Sequence, residues 1–226
     1  MNPLSNSETT SASRIVKDHI RYLLFSEIYF KLSEPKSRRR ALHILEAAIK
    51  CFSRRGMTGV TVEMIAREAG VARSLINHYF EGPEDVQMCA IKYIRLIFQK
   101  FCLDALSREP DPALMLERYI RCCFEWLQKS KTHALVWCAF LERCARLTNL
   151  RRLNTEAVRV GTERIETLLQ SGVATGHFSC HPTRVAKPLQ IFITGAMVSF
   201  MSEAQENREE FIDMVVGRCL EMARAQ

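Results

Sequence analysis

Thr61-Val-Glu-Met-Ile-Ala-Arg-Glu-Ala-Gly70-Val-Ala-Arg-Ser-Leu-Ile-Asn-His-Tyr-Phe80 decides how this chain of 226 residues is read. Thr61 is a good N-cap for a short helix, because its hydroxyl can accept an orphan backbone N–H of the first turn. Val62, Ile65, Ala66 and Ala69 recur at helical spacing and form one apolar face. Gly70 supplies the backbone freedom for a tight turn, and small Ala66 lets two helices cross closely. A second short helix then runs from about Arg73 to Tyr79, with Ile65, Val71 and Ile76 filling the wedge. Such a helix-turn-helix offers the first half of its second helix to the major groove of DNA.

Working outward, a helix over Ser37–Arg55 precedes this unit. Its inner face is Ala41, Ile44, Leu45, Ala48 and Phe52, and Gly56 ends it. Pro35 reads as a chain break before it. Further upstream, residues 1–12 are rich in Ser, Thr and Asn and predict disorder. Residues 13–32 predict a helix, amphipathic at first and apolar nearly all round over Tyr22–Phe30. Downstream, Gly82-Pro83 opens a long helix to about Leu106. Others follow near Ala113–Lys129, Thr132–Leu147, Arg151–Ser171, Arg184–Ala204 and Glu206–Ala223. Gly and Pro are scarce, and no run of β-branched alternation appears, so the fold class is all-α. The organisation reads as an N-terminal extension (1–35), a helix-turn-helix domain (36–82) and a larger helical domain (83–226).

Charge is unevenly placed. The net charge is +7, and between Lys36 and Arg73 nine Lys/Arg face only three acids, so six of the seven charges fall in one segment. Local surplus of this kind suits a polyanion, since each neutralised phosphate releases counterions; a plain solvated basic surface would look the same. Nine cysteines, an odd count that includes adjacent Cys122 and Cys123, argue against a disulfide framework. Met1–Ser13 lacks the apolar core of a signal peptide, and Tyr22–Phe25 falls far short of the ~20 residues that span a bilayer. A cytoplasmic protein without stable membrane association is the expectation.

Residues 38–86 resemble the DNA-binding domain of TetR-family repressors. The likeness rests on Ile44-Leu-Glu-Ala-Ala48, Phe52, Gly56, Thr61, Ile65-Ala66, Ala69-Gly70-Val71 and Tyr79-Phe80, about a fifth of the chain. A weaker echo is Gly172 and Gly176-His-Phe178. The resemblance implies that Arg38, Arg39 and Arg40 lie near the phosphate backbone and that Thr61 caps its helix and donates to a phosphate. It further implies that Arg73, Ser74, Asn77 and His78 are exposed on the reading helix, with Tyr79 reaching the backbone. Arg73 suits guanine edges and Asn77 adenine edges. The chain departs from the family pattern at Asn77, often aromatic there, and at Tyr79, often His. It departs again at Glu81-Gly82-Pro83, where the family carries a Lys after the Phe.

The family couples such a head to a helical body that binds a small-molecule effector and dimerises through its last two helices. In this chain Val185, Leu189, Phe192, Ala196 and Phe200 form a helical stripe. Leu189, Phe192, Ala196 and Phe200 are the interface candidates, though a core face within one subunit has the same period. A homodimer could place two heads in successive major grooves of double-stranded DNA, on a near-palindromic operator. Cys123, Trp126, His133, Trp137, Phe140 and Phe192 are candidates for the effector cavity, with Thr194 a further buried polar candidate. These residue types also fill ordinary cores. Effector binding would act by shifting the population of body conformations.

Other triggers and classes stay in view. Cys122, Cys123, Cys138 and Cys144 fall on neighbouring helices and suit either redox sensing or plain core packing. His177, Cys180 and His181 form an H-x-x-C-H cluster, but a structural metal site wants four ligands, so no metal and no other cofactor is expected. No catalytic motif is present, so the chain is not expected to be an enzyme. Residues 13–32 leave open a helical interaction or membrane-associated protein.

Overall fold

The computed structural model describes residues 35–109, 111–204 and 206–225. The expectations for residues 1–34, including the helix at 13–32, lie outside the described residues. Within them every regular element is a helix: α1 Pro35–Arg55, α2 Val62–Ala69, α3 Arg73–Tyr79, α4 Pro83–Leu106, α5 Pro112–Lys129, α6 Lys131–Arg146, α7 Thr148–Ala174, α8 Pro182–Ser202 and α9 Arg208–Arg224.

Four prolines begin helices. Pro35, Pro83, Pro112 and Pro182 are the first residues of α1, α4, α5 and α8, where a missing N–H costs nothing because the first N–H groups lack intrahelical partners anyway. Pro35 therefore opens α1, where the sequence suggested a break. Asp111 reinforces the start of α5, its side chain accepting the Ala113 N–H at 2.9 Å. Asn207 does the same for α9, accepting from Glu210 N–H at 3.3 Å.

The chain gathers into two compact units. One holds residues 35–99 and Ser130–Asn154. Here α2 and α3 pack on α1, and α6 packs on α1 as well. This explains why α1 is buried more widely than its single predicted face. Besides Ala41, Ile44, Leu45, Ala48 and Phe52, it buries Ala47, Ile49 and Cys51. Between α1 and α6, His133 Nε2 stands 3.7 Å from Glu46 Oε2, and the Tyr93 hydroxyl of α4 donates to Glu46 Oε1 at 2.8 Å. The Gln87 amide donates to Met57 O at 2.9 Å, and Arg95 donates to Leu153 O at 3.1 Å.

The other unit holds residues 100–129 and 155–225 of the described chain. In it α5, α8 and α9 pack mutually, around a cluster of Phe124, Phe200 and Phe211 with ring centroids 5.3–6.1 Å apart. Arg121 bridges α5 to α9 through Asp213 at 2.8 Å. Gly172 lies under the Phe178 ring, so closely that a Cβ there would overlap it. Gly176 adopts φ 77°, and the N–H groups of His177 and Phe178 return to Gly172 O. This closes α7 and explains why Gly172 and Gly176-His-Phe178 occur together. The N–H groups of Ser179 and Cys180 then satisfy Ala223 O at the end of α9.

α8 corrects the sequence reading. Leu189 and Phe200 are buried in the chain's own core with Ala186, Ile193 and Met197, so they offer no surface to a partner. Phe192 and Ala196 are half-buried. The face left open is Pro188, Ile191, Gly195, Val198 and Ser202, one helical stripe over from the predicted one. By length and composition α8 is also apolar enough to cross a membrane, with a third of its apolar window buried.

Candidate nucleic-acid interface

The head is built from local signals that agree with one another. Thr61 Oγ1 accepts the Met64 N–H at 3.3 Å, capping α2. Val62, Ile65, Ala66 and Ala69 are its buried residues, the four that periodicity selected. Gly70 ends it at φ 63°, ψ 35°, a left-handed conformation that favours glycine, and the Val71 N–H returns to Ala66 O at 3.0 Å. His43 on α1 holds the same end, its Nε2 standing 2.8 Å from Ala69 O. Arg54 pairs with Glu68 at 3.0 Å.

α3 follows with Ile76 as its only fully buried side chain. Val71 is half-buried beside it. Anchoring at Ile76 turns the opposite face outward, so Arg73, Ser74, Asn77 and His78 are all exposed, one turn apart in two pairs. Tyr79 is half-buried, and the His78 ring meets it edge-on at 5.0 Å. Arg39 and Arg40 are exposed in the first turns of α1; Arg38 shares that turn. Thus Thr61 and the four polar residues of α3 come together on the helix-turn-helix, with Arg39 and Arg40 at the start of the helix that supports it.

Two features were not legible in the sequence. Arg73 is paired with Glu63 at 2.5 Å, joining the start of the reading helix to the first turn of α2. The Glu63 carboxyl is held below its ordinary range by its own backbone N–H, by the Thr61 hydroxyl and by Arg73. An open groove of about 600 Å³ runs alongside, lined in part by Thr61, Glu63, Arg73, Asn77 and Pro83. Where the family carries a Lys, the start of α4 is instead acidic, with Glu81, Glu84 and Asp85. The Glu81 N–H is taken by Asp85 Oδ2 at 3.0 Å, so that N–H is already engaged within the chain.

The effector candidates divide between the two units. Cys123 and Trp126 are buried on α5 and Phe192 is half-buried on α8, all in one unit. Phe140 is buried and Trp137 and His133 half-buried on α6, in the other. Thr194, expected to be buried, is half-buried and accepts from the Gln190 amide at 3.0 Å. Cys138 and Cys144 likewise fall in a different unit from Cys122 and Cys123. The ligand atoms of His177, Cys180 and His181 do not converge; His177 Nδ1 meets Thr175 Oγ1 at 2.9 Å, and among the described residues three metal-ligating side chains come together only at Cys102, Cys122 and Cys123.

A family model described as bacterial regulatory proteins of the tetR family matches residues 44–86. The HTH-type transcriptional regulator BetI of Proteus mirabilis is 24% identical over 190 residues, covering 80% of this chain and 93% of that protein. A TetR-family regulator from Rhodococcus sp. superposes with a TM-score of 0.71 at 18% identity, over 82% of this chain and 98% of the other. AibR, solved with isovaleryl coenzyme A and operator DNA, superposes with a TM-score of 0.61 at 17% identity, over 79% and 97%. The matched segment, the BetI relative spanning most of both chains and the shared fold agree: residues 44–86 are similar to the DNA-binding domain of tetR-family regulatory proteins, and the chain around them shares the fold of solved regulators.

Proposed function

We propose that this protein is a transcriptional regulator that binds a near-palindromic DNA operator as a homodimer and is released by a small molecule held in its helical body. The observation that carries the reading is the outer face of α3. Arg73, Ser74, Asn77 and His78 are exposed together on a helix whose opposite side is pinned by Ile76. Arg73 and Asn77 match guanine and adenine edges in the major groove. Thr61, Arg39 and Arg40 supply donors suited to phosphate, which fix register without reading sequence. Tyr79, half-buried beside His78, is suited to a backbone contact. The AibR complex supports both arms of the proposal, since that protein is solved with DNA and a small ligand together. Repression is the direction of control that fits release by an effector.

Dimerisation is supported by the unpartnered faces of the last two helices. Ile191 is 62% exposed on α8 and Met214 50% exposed on α9. Gly195 and Gly217 lie on the same faces, and a Cβ at either would meet nothing within the chain. Glycine inside a helix is unfavourable unless something approaches closely, and a second subunit would do so. A solvent-hidden α8–α9 face also accounts for the apolar character of α8 without a membrane.

The test is selection from random duplex DNA, with wild type beside an Arg73→Ala/Asn77→Ala double variant and an Ile191→Glu variant. Wild type is expected to enrich a near-palindrome. The double variant loses the enrichment while keeping its helical circular dichroism, and Ile191→Glu sediments as a monomer and retains at most half-site binding. Equal enrichment by the double variant would overturn the assignment of α3 as the reading helix.

A further inference from the structure

Three cysteines from two helices meet in the interior of the unit formed by residues 100–129 and 155–225. Their Sγ atoms, of Cys102 on α4 and of Cys122 and Cys123 on α5, all lie within 4.8 Å of one another, and all three residues are buried. A thiolate-bound zinc-type ion has metal–sulfur bonds of about 2.3 Å, which sets sulfur–sulfur separations of about 3.8–4.0 Å. The cluster therefore needs a contraction of at most about 1 Å to close on an ion.

The surroundings carry a matching charge. Arg164 on α7 is the only charged side chain buried among the described residues. Its guanidinium lies 5.8 Å from the centroid of the Tyr119 ring, beside the cysteines, and no described carboxylate pairs with it. A buried cation without an anion is costly, so an anionic partner is wanted at this place. Burial as small hydrophobes would account for three scattered cysteines. It does not account for their convergence beside a buried guanidinium.

We propose that Cys102, Cys122 and Cys123 form a three-thiolate site for a divalent, thiophilic metal ion, with Arg164 as its buried counter-charge. Three thiolates and one guanidinium leave two negative charges, which a divalent ion neutralises. Soft thiolate donors select such ions over magnesium or calcium. Binding displaces the three thiol protons to solvent and forms three metal–sulfur bonds, with no redox change. The site is independent of the reading helix and stands whether or not the protein binds DNA.

The experiment titrates the reduced, metal-free full chain with Cd²⁺ and, separately, Zn²⁺. The Cd²⁺ arm is read by the thiolate-to-metal charge-transfer band in the ultraviolet and by proton release. One equivalent is expected to saturate the band, with about three protons released per ion. Cys102→Ser and Cys102→Ala, checked for native circular dichroism, are expected to weaken binding at least about a hundredfold, and Arg164→Gln roughly tenfold to a hundredfold. Cys138→Ser, outside the cluster, leaves binding unchanged. The Zn²⁺ arm, read by competition against Cd²⁺, ranks the two ions. An undiminished band in both folded Cys102 variants would place the metal on other cysteines and overturn the proposal. So would binding by the folded wild type no tighter than by a free monothiol.

Discussion

Ile76→Ala tests the anchoring of the reading helix most directly. α3 has seven residues, too few to be stable alone, and Ile76 is its only fully buried side chain, 1% exposed. The substitution removes three carbons from a packed site. At about 0.8 kcal/mol per buried methylene the transfer loss is about 2.4 kcal/mol. The residual cavity brings the cost to about 3 kcal/mol, within the range of large-to-small core substitutions. Because the loss falls on a helix with no other buried side chain, local opening of α3 should take most of it. Hydrogen exchange of peptides covering residues 71–80 is then expected to speed up roughly a hundredfold, since about 1.4 kcal/mol is a factor of ten. Ile76→Val, losing one carbon, is expected to cost about 1 kcal/mol and leave DNA binding measurable. Ile76→Ala is expected to abolish it. Unchanged exchange over 71–80 in Ile76→Ala, with the protein folded, would refute the idea that this one side chain holds the helix in place.

Three further outcomes follow from described contacts. Glu63→Gln removes the partner of Arg73 and is expected to tighten binding to non-specific duplex several-fold at low salt, measured by fluorescence anisotropy; an unchanged or weaker affinity would mean that the pair does not compete with DNA. Gly172→Ala drives a Cβ into the Phe178 ring and is expected to cost about 1–3 kcal/mol in urea denaturation, with Phe178→Leu in the same chain recovering part of it. The Glu46 carboxyl is held below its ordinary value of 4.5 by His133, against the opposing effect of burial, and further by the Tyr93 hydroxyl. A carboxyl lowered in the folded state stabilises above its unfolded value and loses that contribution as pH falls through the folded one. Wild type should therefore lose stability more steeply below about pH 4.5 than Glu46→Gln, and parallel curves would contradict this.

What the sequence made legible was local. Thr61, Gly70 and the spacing of Val62, Ile65, Ala66 and Ala69 act on neighbours a few residues away, so the turn, its cap and the exposed face of α3 could be read directly. What needed the structure was contact between distant segments. The second buried face of α1, with Ala47, Ile49 and Cys51, exists because α6 packs there, some eighty residues on. Leu189 and Phe200 lie in the chain's own core while Ile191 and Val198 face outward, and the helical period is the same for both stripes. Cys102 joins Cys122 and Cys123 across the turn before Pro112, a spacing that matches no metal motif. The pairing of Arg73 with Glu63 depends on the angle at which the Gly70 turn sets the two helices.

Gly195 and Gly217 have a consequence for how much protein must be present before it is robust. In a lone chain each weakens its helix by about 0.5–1 kcal/mol relative to alanine, with nothing close by to compensate. If subunit contact supplies the compensation, stability becomes a function of dosage. Each tenfold dilution then withdraws about 1.4 kcal/mol per assembled pair, and the thermal midpoint falls with it. Regulators are scarce molecules, and a scarce chain built this way would be most fragile when least expressed.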